Sequence, residues 1–506
     1  MEKIAILNLN SDSIKMQFLN VNKNKSYSAY KSVSMPINLT KDFYNDNFIK
    51  PAVIKDIMSI VLVYKKMIDK EEIKTTLCFA SPLLKEAKNN NGVLNEIMNA
   101  TGFEFKVVNE EDEISYIYSA IINSFNKPKG LIVNIGNFTT SLIMYNRRNI
   151  IETKSFDFGY ETLYNKYFNI EKQSDIFVND VKKEFSSMLK ELEMVTALPE
   201  EFEIIGVGNM FLNLGALARK ASKYSLNLQH NYPVNKEDFN KVFSLLKGQD
   251  LSKPTKVKEV SIEDSKYLLS AFAMISALFD ECPKDVITIS RTGFNDGVAL
   301  NFALPLTLEK PISDTLGFSL QTINEYYDNN SLSALQVYNI SMILFKQLKV
   351  LHKLGRPYIR VLRIASYLYN SGLRVGLNNK ERNAFDIILN SDIYGVSHAE
   401  ILMASFVVKL CEADNFNLSE WVRYKDILNE NDMQAVKKLS VILKIAENLN
   451  ITEFGNVIDI NCDILGDSVI MKTIISEGQD ASLEIKCASL VANEFKKSFN
   501  KNLEII

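Results

Sequence analysis

Apolar residues in the first part of the chain fall into short blocks that pair up around small polar turns. Ile4–Val21 (IAILNLNSDSIKMQFLNV) reads as strand, turn, strand. Gly130–Asn146 (GLIVNIGNFTTSLIMYN) reads the same way: Leu131–Val133 is a buried strand and Ser141–Tyr145 the strand that returns. The polar turn between them, Asn134–Thr140, is built around Gly136. Superposing the two stretches matches Asn8 with Asn134 and brings Ser11–Ser13 near Thr139–Thr140. One supersecondary unit used twice predicts a duplicated α/β domain whose two turns face each other across a cleft.

The pattern between and beyond these units supplies the rest. Thr75–Ala80 reads as a strand, Ser81–Ala100 as a helix and Phe103–Val108 as a strand, after which Asn109 caps a helix starting at Glu110. Asp180–Leu192 reads as a helix, and Glu203–Gly208 as a strand running into a glycine turn with a helix from Met210. Asp285–Ser290 is a strand that ends near Thr292-Gly293. Helical periodicity then dominates in Leu316–Tyr327, Ala334–Lys353, Val361–Tyr369 and Glu400–Ala413. After Gly455 short strands return in Asn456–Ile464, Ser468–Ile475 and Ala481–Cys487. Boundaries fall near 123, 305 and 455.

Composition narrows the function classes. A net charge of −3, with lysines spread along the chain, leaves no basic footprint for nucleic acid. The longest apolar run, Tyr267–Phe279, suits a buried helix and falls short of the roughly 20 residues that span a bilayer. The N-terminus enters a strand directly, without the apolar core of a signal peptide, so the expected location is cytoplasmic, with no membrane partner. The 5 cysteines are scattered with no C-x-x-C pair, which argues against a zinc ribbon or a disulfide framework. The 3 histidines lie far apart, which argues against a histidine metal site. Glycine is scarce, 19 in 506 residues, although backbone that wraps phosphate usually needs several.

Two stretches carry candidate chemistry, each with a bland alternative. The turn at Asn134–Thr140 could cradle phosphate with its backbone N–H groups, or serve only as a hairpin turn. In the acidic run Glu110–Glu113, a carboxylate facing a cleft could orient water as a general base. The same acids suit the first turn of any capped helix.

The order of segments resembles the exopolyphosphatase / guanosine pentaphosphate phosphohydrolase (Ppx/GppA) family over essentially the whole chain. The passages that carry the resemblance are Phe79–Asn89, Thr101–Ala120, Gly130–Leu142, Glu203–Asn209 and Asn390–Val408. It implies an α/β fold of two actin-like ATPase (ribonuclease H-like) halves, 1–122 and 123–304. An α-helical HD-like domain, 305–455, and a small C-terminal α+β domain, 456–506, follow. It also implies a homodimer, Mg²⁺ as cofactor if the chain is active, and polyphosphate or guanosine penta- or tetraphosphate as ligand.

The departures from the family fall on the chemistry. The family's first turn resembles D-x-G-S-N-S, and here reads Asn8-Leu9-Asn10-Ser11-Asp12-Ser13. Its second resembles D-I-G-G-G-S-T-E, and here reads Asn134-Ile135-Gly136-Asn137-Phe138-Thr139-Thr140-Ser141. Neutral asparagines are poor ligands for a hard cation, and lost glycines restrict the close approach of backbone to phosphate. In the HD-like region Tyr369-Asn370 replaces the His-Asp pair, and Leu377, Glu381 and Asn383 stand where histidines would be; no metal ligand is assigned. Carried over residue by residue, Glu113 is the catalytic candidate. Ser11, Ser13, Lys85, Gly136, Thr139, Thr140, Gly206 and Gly208 are the substrate-binding ones. Lys85 matches an arginine of the family and loses its bidentate fork. The expectation is a weakly active or inactive binding or regulatory relative. The alternative is an active Mg²⁺-dependent exopolyphosphatase or pppGpp 5′-phosphohydrolase.

Overall fold

A computed structural model of the chain describes residues 2–41, 43, 46–169, 174–247, 259–305, 311–411 and 418–506. It divides into two compact units, Met1–Ser313 and Asp314–Ile506.

The first unit holds two sheets of related design. In one, β1 (Glu2–Leu9), β2 (Ser13–Val21), β3 (Tyr27–Pro36), β4 (Thr75–Ala80) and β5 (Phe105–Val107) lie in the order β3-β2-β1-β4-β5. In the other, β6 (Lys129–Ile135), β7 (Thr140–Asn146), β8 (Asn149–Phe156), β9 (Glu203–Val207), β10 (Tyr232–Asn235) and β11 (Val286–Ile289) run β10-β11-β9-β6-β7-β8. Each begins with an antiparallel meander and continues with parallel strands: β4 beside β1, and β9 then β11 beside β6. The expected duplication is therefore present in the strand order itself. β10 is an addition to the second sheet, antiparallel to β11.

Parallel neighbours need crossovers, and helices supply them. α1 (Pro51–Lys70) and α2 (Asn90–Thr101) serve the first sheet; α4 (Tyr160–Tyr167), α5 (Ser174–Leu189), α6 (Asn209–Ala221), α7 (Lys236–Lys247) and α8 (Leu268–Glu281) belong to the second. α3 (Glu110–Ile122) and α9 (Phe294–Ala303) cross closely: a Cβ on Gly297 would stand 1.9 Å from the Tyr116 carbonyl oxygen, so only glycine fits. β1 and β6 are buried over nearly their whole length, as strands covered on both faces must be. Among the described residues no helix is long and apolar enough to cross a membrane.

Two expectations change. The helix expected over Ser81–Ala100 is a single 3₁₀ turn, Pro82–Lys85, followed by α2. The break has a cause: the Asn89 side chain is tied to the backbone of Ile49, donating to its carbonyl at 2.9 Å and accepting from its amide at 3.0 Å. The strand expected at Ala481–Cys487 is a helix, Ser482–Ser489. Alternation there misled, because Glu484 is buried and accepts from Thr452 at 2.5 Å and Asn456 at 2.9 Å.

The second unit is helical at first: α10 (Thr315–Tyr326), α11 (Ser331–Gln347), α12 (Pro357–Leu368), α13 (Lys380–Asn390), α14 (His398–Leu410) and α15 (Glu430–Asn448). The expected end of α14 at Ala413 lies outside the described residues. A hairpin of β12 (Val457–Leu465) and β13 (Ser468–Ile475) follows, then α16 (Ser482–Ser489), α17 (Ala492–Phe499) and β14 (Asn502–Ile505), which pairs parallel to β13. Trp421 is core, 5.0 Å from the Phe406 ring, and His398 is buried in the first turn of α14.

Candidate functional site

Turns at the ends of the central strands of both sheets enclose a cleft of about 360 Å³ in the first unit. The segments that converge on it are the β1–β2 turn, the end of β4 with the loop after it, the end of β5 with α3, the β6–β7 turn, the turn from β9 into α6, and the loop from β11 into α9. Gly208 makes the third turn possible at φ 105°, a conformation that side chains disfavour. Among the described residues the amides of Ser11, Asn137 and Phe138 donate to no protein group. Lys15 and Arg291 bring positive charge to the wall, Glu113 and Asp296 negative charge.

Glu113 sits one turn into α3 and faces the second turn. Asn134 Nδ2 donates to its Oε1 at 3.1 Å, and Thr139 Oγ1 donates to its Oε2 at 3.1 Å. Burial raises its pKa above the usual carboxylate value, opposed by the hydrogen bonds from Thr139 and Asn134. The nearby Glu110 charge adds to the rise and the Lys85 charge reduces it. A group made more basic in this way suits proton abstraction.

Beneath the cleft the two turns are joined directly. Asn137 Nδ2 donates to Ser11 Oγ and to Glu161 Oε2, both at 3.0 Å, while Asn137 Oδ1 accepts from the Tyr160 hydroxyl at 2.6 Å. Glu161 is 2% exposed, and four donors reach it. Ser11 (3.4 Å) and Asn137 meet Oε2, and Thr40 (3.2 Å) and Tyr267 (3.0 Å) meet Oε1. Burial raises its pKa, against the hydrogen bonds from Asn137, Tyr267 and Thr40. The carbonyls of Gly136 and Asn137 also cap α4, accepting from Tyr160 (3.0 Å), Glu161 (3.1 Å) and Thr162 (3.3 Å). Gly159 allows this approach: a Cβ there would lie 2.0 Å from the Gly136 oxygen.

Of the residues expected from sequence, Glu113, Ser11, Gly136, Thr139 and Gly208 line the cleft together. Four do not. Thr140 is fully buried and donates to the Phe158 carbonyl at 2.9 Å. Ser13 is buried and donates to Asp12 at 2.8 Å. Gly206 leaves room for the Phe211 ring, and Lys85 is exposed on its 3₁₀ turn. Sequence reasoning missed Glu161, Asn137 as a bridge, Lys15 and Arg291. Lys15 was findable, since it pairs with Asn8 across the hairpin; Arg291 adjoins the Thr292-Gly293 turn.

The donor set does not fit Mg²⁺. Asn134 must turn its amide nitrogen to Glu113, because a carboxylate only accepts. Asn8 Nδ2 donates to Asn295 Oδ1 at 2.7 Å. Among the described residues no group of three or more His, Cys, Asp or Glu could hold a metal ion.

A family model described as the Ppx/GppA phosphatase family matches residues 34–305, more than half of the chain. The chain belongs to the Ppx/GppA phosphatase family. It is 22% identical over 302 residues to a bifunctional 3-dehydroquinate synthase/phosphatase of Fusobacterium nucleatum, a match covering 57% of this chain and 44% of the relative. The chain thus spans less than half the length of that curated relative. Among solved structures, a Ppx/GppA family member from Aquifex aeolicus is 18% identical, covering 60% of this chain and 98% of the other, with a TM-score of 0.53. An exopolyphosphatase from Cytophaga hutchinsonii is 14% identical, covering 61% and 99%, with a TM-score of 0.55. At these identities the two structures speak for the Ppx/GppA fold alone.

Proposed function

We propose that this Ppx/GppA-family protein binds a phosphorylated ligand in the cleft and hydrolyses it weakly or not at all. The observation that carries the reading is the amide of Asn134 donating to Glu113. A position that in the resemblance holds a metal-binding acid is here a neutral donor, and it engages the carboxylate that would have to activate water. Phosphoryl transfer depends on positioning and charge neutralisation, and both are weakened. What remains suits binding: unpaired turn amides, Thr139, and the charges of Lys15 and Arg291. The ligand class is polyphosphate or guanosine penta- or tetraphosphate. The family resemblance favours an HD-like domain without metal ligands over 305–455, and a cytoplasmic homodimer.

A second reading is an active exopolyphosphatase or pppGpp 5′-phosphohydrolase with Glu113 as general base. The raised pKa of Glu113 favours it, as does the phosphatase in the name of the Fusobacterium relative. The test pairs calorimetric binding of polyphosphate and pppGpp with phosphate release, in wild type and Glu113→Gln. Binding without release supports the first reading; release that Glu113→Gln abolishes establishes the second. No binding of either ligand overturns both.

A further inference from the structure

Glu161 plays no part in either reading, yet four donors reach its carboxylate beneath the cleft. Its four donors come from separate stretches of chain: Ser11 in the first turn, Thr40 beyond β3, Asn137 in the second turn and Tyr267 before α8. Two donors meet each oxygen, and all four are neutral hydroxyl or amide groups. Such a set can satisfy an oxyanion, since each of the four groups has an N–H or O–H to give. Two of the donors, Ser11 and Asn137, belong to the turns that face each other and also line the cleft. Between such turns an external phosphate would find its donors. Here α4, whose first amides bond to the second turn, delivers a carboxylate to them from below.

We propose that Glu161 is a tethered anion. It fills the oxyanion position between the two turns, holds them at their ligand-closed spacing without a ligand, and denies that position to a phosphate group. A phosphorylated ligand then engages the cleft above that position, at lining groups such as the free turn amides, Thr139, Lys15 and Arg291. This deepens the reading of the cleft as a binding site and rests on it only for the identity of the natural ligand. The position of Glu161 defines the variant site on its own. Asp12 also acts on this region, adding negative charge near both Glu161 and Asp264. The tethered group is therefore surrounded by further reasons for the wild-type gap to reject a second anion.

The experiment is chemical rescue on the full chain. Glu161→Ala removes the tethered carboxylate and leaves its four donors. Formate, acetate and inorganic phosphate are then titrated against wild type and variant by thermal shift and calorimetry, with chloride at matched ionic strength as control. The expected result is a lowered melting temperature in Glu161→Ala that formate or phosphate restores and chloride does not. Phosphate affinity should be at least tenfold above wild type. Should Glu161→Ala fail to fold, Glu161→Gln keeps the shape but removes the charge and puts an N–H₂ in place of one accepting oxygen. It should speed hydrogen exchange in residues 9–13 and 136–140 while leaving the second unit unchanged. A folded Glu161→Ala that no oxyanion stabilises, or a Glu161→Gln with wild-type exchange in both turns, overturns the proposal. Rescue in Glu161→Ala alongside a wild type that binds neither polyphosphate nor pppGpp would sustain the tethered anion and reject the ligand class proposed above.

Discussion

Replacing Asn137 by glycine, the residue the family resemblance places there, should cost stability and not merely loosen a loop. The Asn137 side chain donates to a nearly fully buried carboxylate and to Ser11, and accepts from the Tyr160 hydroxyl, which is itself 2% exposed. A hydrogen bond to a charged group contributes about 1.5–3 kcal/mol, and an orphaned buried hydroxyl costs about 1–3 kcal/mol. Added chain entropy from glycine costs about 0.5–1 kcal/mol. Asn137 lines the cleft, so water can replace part of what is lost, and the lower end of each range applies, giving a total of about 3 kcal/mol. Asn137→Asp should cost more at neutral pH, because it removes both N–H donors and sets a second carboxylate against Glu161. Urea denaturation followed by far-UV circular dichroism reads the loss. The single tryptophan, Trp421, lies in the second unit, so its fluorescence is an internal control that should stay at the wild-type midpoint. A loss under about 1 kcal/mol for Asn137→Gly, or an Asn137→Asp no worse than it, would refute the idea that this side chain joins the two turns.

Other perturbations test neighbouring steps. Gly159→Ala drives a Cβ into the Gly136 carbonyl and should destabilise the first unit by about 2 kcal/mol or more, whereas Gly92→Ala, in open space within α2, should be neutral or stabilising by about 0.5–1 kcal/mol; equal urea midpoints for the two would count against the close approach of the second turn to α4. Burial raises the Glu113 pKa in the folded chain, so the native state holds more protons than the unfolded chain above the ordinary glutamate value. Wild-type stability should therefore fall as pH climbs from that value to the raised one, and Glu113→Gln should show a smaller decline, the remainder coming from groups such as Glu161 that burial raises in the same way, when urea midpoints are compared across pH. Burial pushes the thiols of Cys78, Cys282 and Cys462 up to about 12, so iodoacetamide near pH 8 should label them only after unfolding, as read by peptide mass spectrometry.

Much of the fold was legible because its signals are local. The two hairpins announce themselves by apolar blocks around polar turns, and the strands at Thr75–Ala80 and Ser468–Ile475 begin and end where the alternation does. The polar edge strands β3 and β8 left no such trace, since their side chains are mostly exposed. The helix at Ser482–Ser489 was hidden because its decisive residue, Glu484, is buried by partners at Thr452 and Asn456 that lie outside the segment. The site divides in the same way. Glu113, Thr139 and Gly136 sit in motifs that can be read along the chain. Glu161 reads as one more acid in a helix, and only the folded chain brings Ser11, Thr40 and Tyr267 to it.

The central claim is that the cleft binds without efficient hydrolysis, and one measurement bears on it most directly: phosphate release from long-chain polyphosphate and from pppGpp, with excess Mg²⁺, by wild type and Glu113→Gln. The account expects release at or only slightly above background in both proteins, from a sample whose unfolding transition shows it to be folded. Steady release by wild type that disappears in Glu113→Gln would contradict it, and would mean that Glu113 activates water despite the amide of Asn134.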